Sequence, residues 1–562
     1  MRHFFCAILP FVLVLSLSAQ ESPEVVWSAR VFWADQAELQ ALAAMVEPVD
    51  VRREEGTATV IVDRRQINRL RRAGFRLSLE RVVNPVIQPH QKGEGGIVGF
   101  PCYPTVDETY ALLDQWAAAY PDLVQVIDIG DSWEKQFEGG GDDLRVLKIT
   151  GRNGVENKAP WFAMGALHAR EYTTAALLTR FAEELLTGYG EDPNITWQLD
   201  HGVFHFLLIA NPDGRRRAEQ ALFWRKNADN DYCTGSNFRG IDLNRNFTFQ
   251  WGCCFGSSGV PCDETFRGPE AGSEPEIQAL TDYVRMHFPD NRGPDIGDGV
   301  APDAAGVFLD IHSYGRFVLW PFGYSQVDSA DNAVLQRLGR KFAFFNGYSP
   351  EKASASFVTD GTSDDWAYGE LGLAAFTFEL GTSFFQPCED FENTILPDNL
   401  AALRYSARVA RAPFSMPGGP DVIALNLART VVLPGDTILI TATADDTRFS
   451  TRNGAEPSAV VTSVRLTVDT PPWLTDGDTP TFDAADGTFD SAVESVVLSW
   501  SPPPLTPGRH TVFVQARDAD GDWGPVSAAF ISYRAVAADQ LTAWPEQVKV
   551  TDMVAALNAL EE

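Results

Sequence analysis

Hydrophobic and polar positions change their rhythm twice along the chain. Between residues 25 and 80 short alternating and helical patterns follow one another. Residues 29–33 alternate as a strand does, and Asp35 then precedes Leu39, Leu42 and Met45 at helical spacing. Residues 49–52 and 57–62 read as a strand pair around Glu55-Gly56; Asp63 opens a second helix and 75–79 closes the unit. This βαββαβ order predicts a ferredoxin-like α+β unit. From 99 to 414 helical patterns alternate with apolar runs at 123–129, 144–149, 161–166, 204–209, 307–311 and 375–379. Runs apolar on both faces are strands of a buried sheet, so this region predicts an α/β domain. After Met416-Pro-Gly-Gly-Pro420 the pattern shortens to Val/Thr/Leu-rich runs at 430–433, 437–443, 460–468, 496–500 and 510–515. Turn residues separate them, which predicts an all-β, immunoglobulin-like sandwich. An amphipathic helix is expected at 551–560.

The N-terminus refines this division. Arg2 and His3 precede an apolar run over 4–17, and Ser18 and Ala19 follow. That is the layout of an export signal, too short to span a bilayer comfortably. The expected organisation is a signal at 1–19, the α+β unit and its polar linker at 20–96, the α/β domain at 97–416, the β-sandwich at 417–535 and a tail at 536–562. The expected location is extracellular, with cell-surface association left open and no transmembrane anchor. Once the signal is removed, six cysteines remain, from Cys102 to Cys388, enough for three disulfides in an oxidising compartment. Four of them lie between Cys233 and Cys262 and suggest a stapled loop, with the pairing open. A net charge of −31 argues against nucleic acid as a partner.

Chemistry concentrates at the ends of the apolar runs. Gly165-Ala-Leu-His168-Ala-Arg-Glu171-Tyr172 ends a strand and begins a helix, so His168 and Glu171 can converge on one ion. Phe308-Leu-Asp-Ile-His312 ends a second strand in another histidine. Three protein ligands leave a fourth position for water, as hydrolytic zinc sites require. Phe376-Thr-Phe-Glu379 ends a third strand in a carboxylate that burial alone would make costly. His201 and His205 precede or sit in an apolar strand and read as structural. Asp518, Asp520 and Asp522 lack the glycine and distal glutamate of a calcium loop and read as a hairpin turn.

Taken together, these segments resemble the carboxypeptidase A/B family of zinc peptidases, including its bacterial carboxypeptidase T-like members. The resemblance runs over about 100–414. It implies a mixed-sheet catalytic domain with one zinc ion on His168, Glu171 and His312, and Glu379 as general base and acid. Trp224-Arg225-Lys226 is similar to the segment with the oxyanion arginine, here Arg225. Asp242-Leu-Asn244-Arg245-Asn246 is similar to the segment in which Asn244 and Arg245 bind the substrate's terminal carboxylate and Asp242 orients His168. Arg170 and Tyr314 fall on subsite positions. The α+β unit then implies an inhibitory propeptide, and the substrate is the C-terminus of a peptide or protein.

Two positions colour this expectation. Phe357 stands where the family usually has a mobile tyrosine, so weaker substrate binding with retained chemistry is expected. Asp364 falls where basic-specific members carry an aspartate, which implies preference for C-terminal Lys or Arg. Two other readings compete. A binding scaffold predicts a broken catalytic set, and a cell-wall peptidase has no need of Asn244 and Arg245. The β-sandwich is expected to contact a surface, a carbohydrate or another protein, or to stabilise the enzyme.

Overall fold

The computed structural model describes residues 25–84, 95–152, 155–233, 239–475 and 477–534. The export-signal, polar-linker and tail-helix readings lie outside these residues, except for linker positions 95 and 96.

The N-terminal unit runs β1 (Val26–Phe32), α1 (Gln36–Met45), β2 (Pro48–Arg52), β3 (Thr57–Asp63), α2 (Arg64–Arg72) and β4 (Arg76–Val82). Its sheet has the order β2-β3-β1-β4, antiparallel throughout. Asp35 caps α1 through the Glu38 N–H, and Asp63 forms a reciprocal capping box with Gln66. Leu39, Leu42, Val60 and Ile67 build a core of its own.

The central unit begins with α3 (Val106–Ala119), β5 (Val124–Asp131), α4 (Trp133–Phe137), β6 (Asp143–Thr150) and β7 (Ala159–Met164). It continues through α5 (Tyr172–Gly188), α6 (Pro193–His201), β8 (Gly202–Leu207), α7 (Pro212–Ala218) and α8 (Pro275–His287). Next come β9 (Val307–Ser313), β10 (Phe317–Trp320), α9 (Asn332–Asn346), β11 (Ser349–Lys352), α10 (Ser363–Leu371) and β12 (Ala374–Leu380). A short α11 (Cys388–Asp390) and the longer α12 (Leu396–Val409) end the unit. The eight strands form one sheet of order β11-β10-β12-β9-β7-β8-β6-β5. Its centre, β12-β9-β7-β8, is parallel, and the wholly apolar runs fall there because helices cover both faces. Trp161 on β7, fully buried, packs against Phe181, Phe204 and Phe206 at 5.1–5.6 Å between ring centroids. The pattern misses β10 and β11, four residues each: Ser349-Pro-Glu-Lys352 is a proline-bearing edge strand with no apolar rhythm, and the apolar Phe317-Val-Leu-Trp320 is too short to show a period.

The C-terminal unit comprises β13 (Asp421–Leu427), β14 (Val431–Val432), β15 (Ile438–Asp445), β16 (Val461–Val468), β17 (Asp483–Ala484), β18 (Val493–Trp500), β19 (Gly508–Asp518) and β20 (Ser527–Tyr533). Two four-stranded sheets, β13-β15-β18-β17 and β14-β20-β19-β16, share one core of Val422, Ile440, Val464, Val496, Val514 and Ile531. The Asp518–Asp522 segment turns between β19 and β20, with the Asp522 N–H donating to Asp518 at 2.9 Å.

This sandwich is fixed to the central unit. Trp197 of α6 packs with Phe513, Val526 and Ala528. Arg337 and Arg340 of α9 reach Glu456 at 2.9 and 2.8 Å. Lys341, without solvent exposure, lies 3.3 Å from the equally buried Asp421. The three disulfides are Cys102–Cys388, Cys233–Cys262 and the vicinal pair Cys253–Cys254. Removing one partner of a buried ion pair strands the other charge. Asp421→Ala is therefore expected to lower stability by about 3–5 kcal/mol in urea unfolding, with most of it regained in Lys341→Met/Asp421→Leu.

Candidate active site

The three parallel strands β7, β9 and β12 deliver their carboxyl ends to one place, where open α/β folds set their sites. His312 on β9 and Glu379 on β12 are direct register partners. His168 follows β7 in a tight turn into α5. That turn is held by the Ala166 N–H donating to Thr174 Oγ1 at 2.8 Å and by Thr174 Oγ1 donating to Glu171 O at 2.9 Å. A Cβ on Gly165 would stand 3.0 Å from the backbone of Thr174 and Ala175, so a side chain there would push helix and strand apart by a few tenths of an ångström.

Ligand-type atoms of His168, Glu171 and His312 lie within 4.8 Å of one another, all buried. His168 Nδ1 is 2.9 Å from Glu171 Oε1 and His312 Nδ1 is 3.1 Å from Glu171 Oε2. The Ser313 N–H steadies the same carboxylate at 3.0 Å. Burial would raise the pKa of Glu171, but His168 and His312 bring it down to about 2. Two imidazoles and one ionised carboxylate, each presenting an atom to a common point, are a donor set that fits a zinc ion. The far nitrogen of His168 lies 3.1 Å from Asp242 Oδ1. Burial favours the neutral form of Asp242, but Arg225 and His168 hold it well below the usual carboxylate range.

A cavity of about 420 Å³ opens beside this cluster. Arg170, Asn244, Arg245, Tyr314, Phe357, Asp364 and Glu379 all line it. Arg170 is locked: it lies 2.7 Å from Glu264 and stacks between Phe223 and Phe384 at 4.5 and 4.1 Å. Tyr314 packs edge-on against Phe384 at 4.8 Å. Burial pushes Glu379 up to about 8, with His312 opposing and Glu171 and Glu47 reinforcing the shift. Burial also raises Asp364, and the charge of nearby Asp310 adds to it. The neighbouring Asp365 is occupied structurally, accepting from the Gly323 and Tyr324 N–H groups at 2.7 and 2.9 Å.

Arg225 gives two hydrogen bonds to Asp242 Oδ2, at 3.1 and 2.9 Å, and its remaining nitrogen lies 2.5 Å from Glu47 Oε2. Arg245 Nη2 lies 2.9 Å from Glu47 Oε1. Glu47 belongs to the N-terminal unit, between α1 and β2. Sequence reasoning missed it because nothing in the local pattern marks a residue whose partners are 178 and 198 positions away. Asp310, beside His312, was missed as well. His205 stands apart from the site: its Nδ1 is 2.7 Å from Tyr283 Oη, and burial pushes its pKa down to about 3, so it is a neutral core residue.

A zinc carboxypeptidase family profile matches residues 109–401, just over half of the chain and inclusive of every residue from His168 to Glu379. The chain belongs to the zinc carboxypeptidase family. Carboxypeptidase A1 of Rattus norvegicus is 32% identical over 286 residues, covering 50% of this chain and 62% of the relative. Carboxypeptidase B of Homo sapiens is 33% identical over 279 residues, 48% of this chain and 61% of its own. The alignments thus span less than two thirds of these relatives. Among solved structures, carboxypeptidase A from Helicoverpa armigera superposes with a TM-score of 0.57 at 23% identity, covering 70% of this chain and 99% of that one. Thrombin activatable fibrinolysis inhibitor gives 0.54 at 22% identity, covering 69% and 99%. These two likenesses are of fold.

The donor geometry has a direct test. Metal analysis after dialysis against zinc is expected to find one ion bound by the native chain and less than a tenth of that affinity in His312→Ala, since one of three ligands is gone.

Proposed function

We propose that this protein is a secreted zinc metallocarboxypeptidase, made as a zymogen, that hydrolyses C-terminal peptide bonds and prefers terminal Lys or Arg. One observation carries the reading. The two arginines beside the His168–Glu171–His312 cluster already grip a carboxylate, that of Glu47, in the cavity that Glu379 lines. A site that binds a carboxylate next to a hydrolytic metal cluster suits a substrate with a free C-terminus.

Zinc held at the cluster would polarise the scissile carbonyl and make a water acidic. Ionised beside the charge of a bound metal, Glu379 would accept the proton of the attacking water and pass it to the departing amine. Arg225 would meet the negative charge that develops on the carbonyl oxygen, a contact type worth roughly 3 kcal/mol. Arg245, with Asn244 beside it, would take the terminal carboxylate in its planar fork. Tyr314 and Phe357 would cover the substrate, Phe357 without a hydroxyl to bond it. Asp364, buried and lining the cavity, would favour a cationic side chain. Lys352 also lines the cavity, but its ammonium is engaged by Gln326 O and, at 2.9 Å, by Asp328. Three disulfides accord with an oxidising compartment. For the β-sandwich, the contacts with α6 and α9 favour stabilisation, and no described residue supports a carbohydrate contact.

Peptides with free and amidated C-termini test the central claim. Cleavage of the free form, loss on amidation, and faster release of Arg than Phe are expected. Equal cleavage of amidated peptides would rule out exopeptidase action, and faster release of Phe would rule out the basic preference.

The inhibitory role of residues 20–96 rests on the same carboxylate. Glu47 occupies the substrate anchor, Arg53 donates to Ser356 O at 2.9 Å, and Gln40 exchanges hydrogen bonds with Val358, so the unit also clamps the loop bearing Phe357. Glu47→Gln is expected to raise the activity of the uncut chain by about 10- to 100-fold, the worth of one or two charge-assisted hydrogen bonds. Burial alone would raise Glu47, yet Arg225 and Arg245 hold it far below its ordinary 4.5. Its docking energy is therefore complete above pH 4.5 and declines as the pH falls below that value, so inhibition measured against pH should weaken in acid.

A further inference from the structure

The two histidines of the cluster are each backed by a carboxylate, but His312 also has a rival neighbour. Its Nε2 lies 2.8 Å from Asp310 Oδ2 and 3.2 Å from Asn244 Nδ2. The amide of Asn244 is oriented by its own oxygen, which accepts the Ser363 N–H at 2.9 Å, so its NH2 faces the ring. An NH2 group can only donate. It favours a lone pair on Nε2 and hence a proton on Nδ1, the atom that points at Glu171. A carboxylate can only accept. It favours the proton on Nε2 and leaves the Nδ1 lone pair free for a metal.

The contact to the carboxylate is the shorter of the two, 2.8 Å against 3.2 Å. Asp310 is two residues before His312 on β9 and so shares its face of the sheet. It is fully buried, Ser363 Oγ donates to Oδ2 at 2.5 Å, and Oδ1 has no hydrogen-bond partner. A carboxylate left half-satisfied in a core is costly unless a cation or imidazole compensates for it.

We propose that Asp310 is a positioning residue for the metal: it imposes the Nε2–H tautomer of His312 against the pull of Asn244. The proposal rests on the zinc reading above. The assay is zinc affinity of the full chain by competition with a chelator, alongside thermal unfolding of the chelator-stripped protein. Asp310→Ala is expected to bind zinc about 10- to 100-fold more weakly, the usual effect of losing such a partner. Adding Asn244→Ala should return about 5-fold or more, because the competing donor is then gone. Zinc affinity in Asp310→Ala within about threefold of the native chain would overturn the proposal. So would a lower unfolding temperature of the stripped variant with unchanged affinity, the mark of a merely structural role. If Asp310→Ala does not fold, Asp310→Asn keeps the shape, and the same threefold limit decides. A native chain that takes up no zinc would instead refute the zinc reading itself.

Discussion

The carboxylate of Glu171 sits between two imidazoles, 2.9 Å from one and 3.1 Å from the other, in a place without solvent access. Three groups of this kind cannot be held together cheaply unless something cationic, a proton or a metal, shares the space. The surrounding architecture serves that convergence. A parallel sheet centre brings β7, β9 and β12 side by side, so residues far apart in the chain end at one level. The close passage at Gly165 and the Thr174 hydrogen bonds turn the chain from β7 into α5 with His168 and Glu171 facing inward. Carboxylates behind the rings, Asp242 and Asp310, then complete the electrostatics.

The N-terminal unit uses the same electrostatics in reverse. Its own core lets it hold shape, and one glutamate in the loop after α1 satisfies two arginines that would otherwise face an open cavity. Arg69 with Asp263, 3.0 Å apart, adds a second anchor. The β-sandwich, by contrast, docks on α6 and α9 through apolar packing and the buried Lys341–Asp421 pair. One attachment lines the cavity, and the other docks on α6 and α9.

Much of this was legible in the sequence because its causes are local. Apolar runs announce the buried parallel strands, Asp35 and Asp63 announce the helix starts they cap, and ligand residues at strand ends announce a metal site. The βαββαβ order of the first unit follows from alternation and turn residues alone. The edge strand β11 was not legible, since four residues at a sheet edge need no apolar rhythm to pair, and the four apolar residues of its neighbour β10 are too few to show a period.

What only the tertiary structure decided depends on distance through space. The pairing of Cys102 with Cys388 spans 286 residues, and no spacing rule encodes it. Glu47 is an ordinary acidic residue until folding sets it against Arg225 and Arg245. Asp310 reads as a polar interruption of an apolar strand until His312 and Ser363 meet it. By itself the sequence determined the elements and the ligand types, because hydrophobic burial and capping act between near neighbours. The fold decided which charges meet, because Coulombic and hydrogen-bond partners in a core are chosen by packing and not by order along the chain.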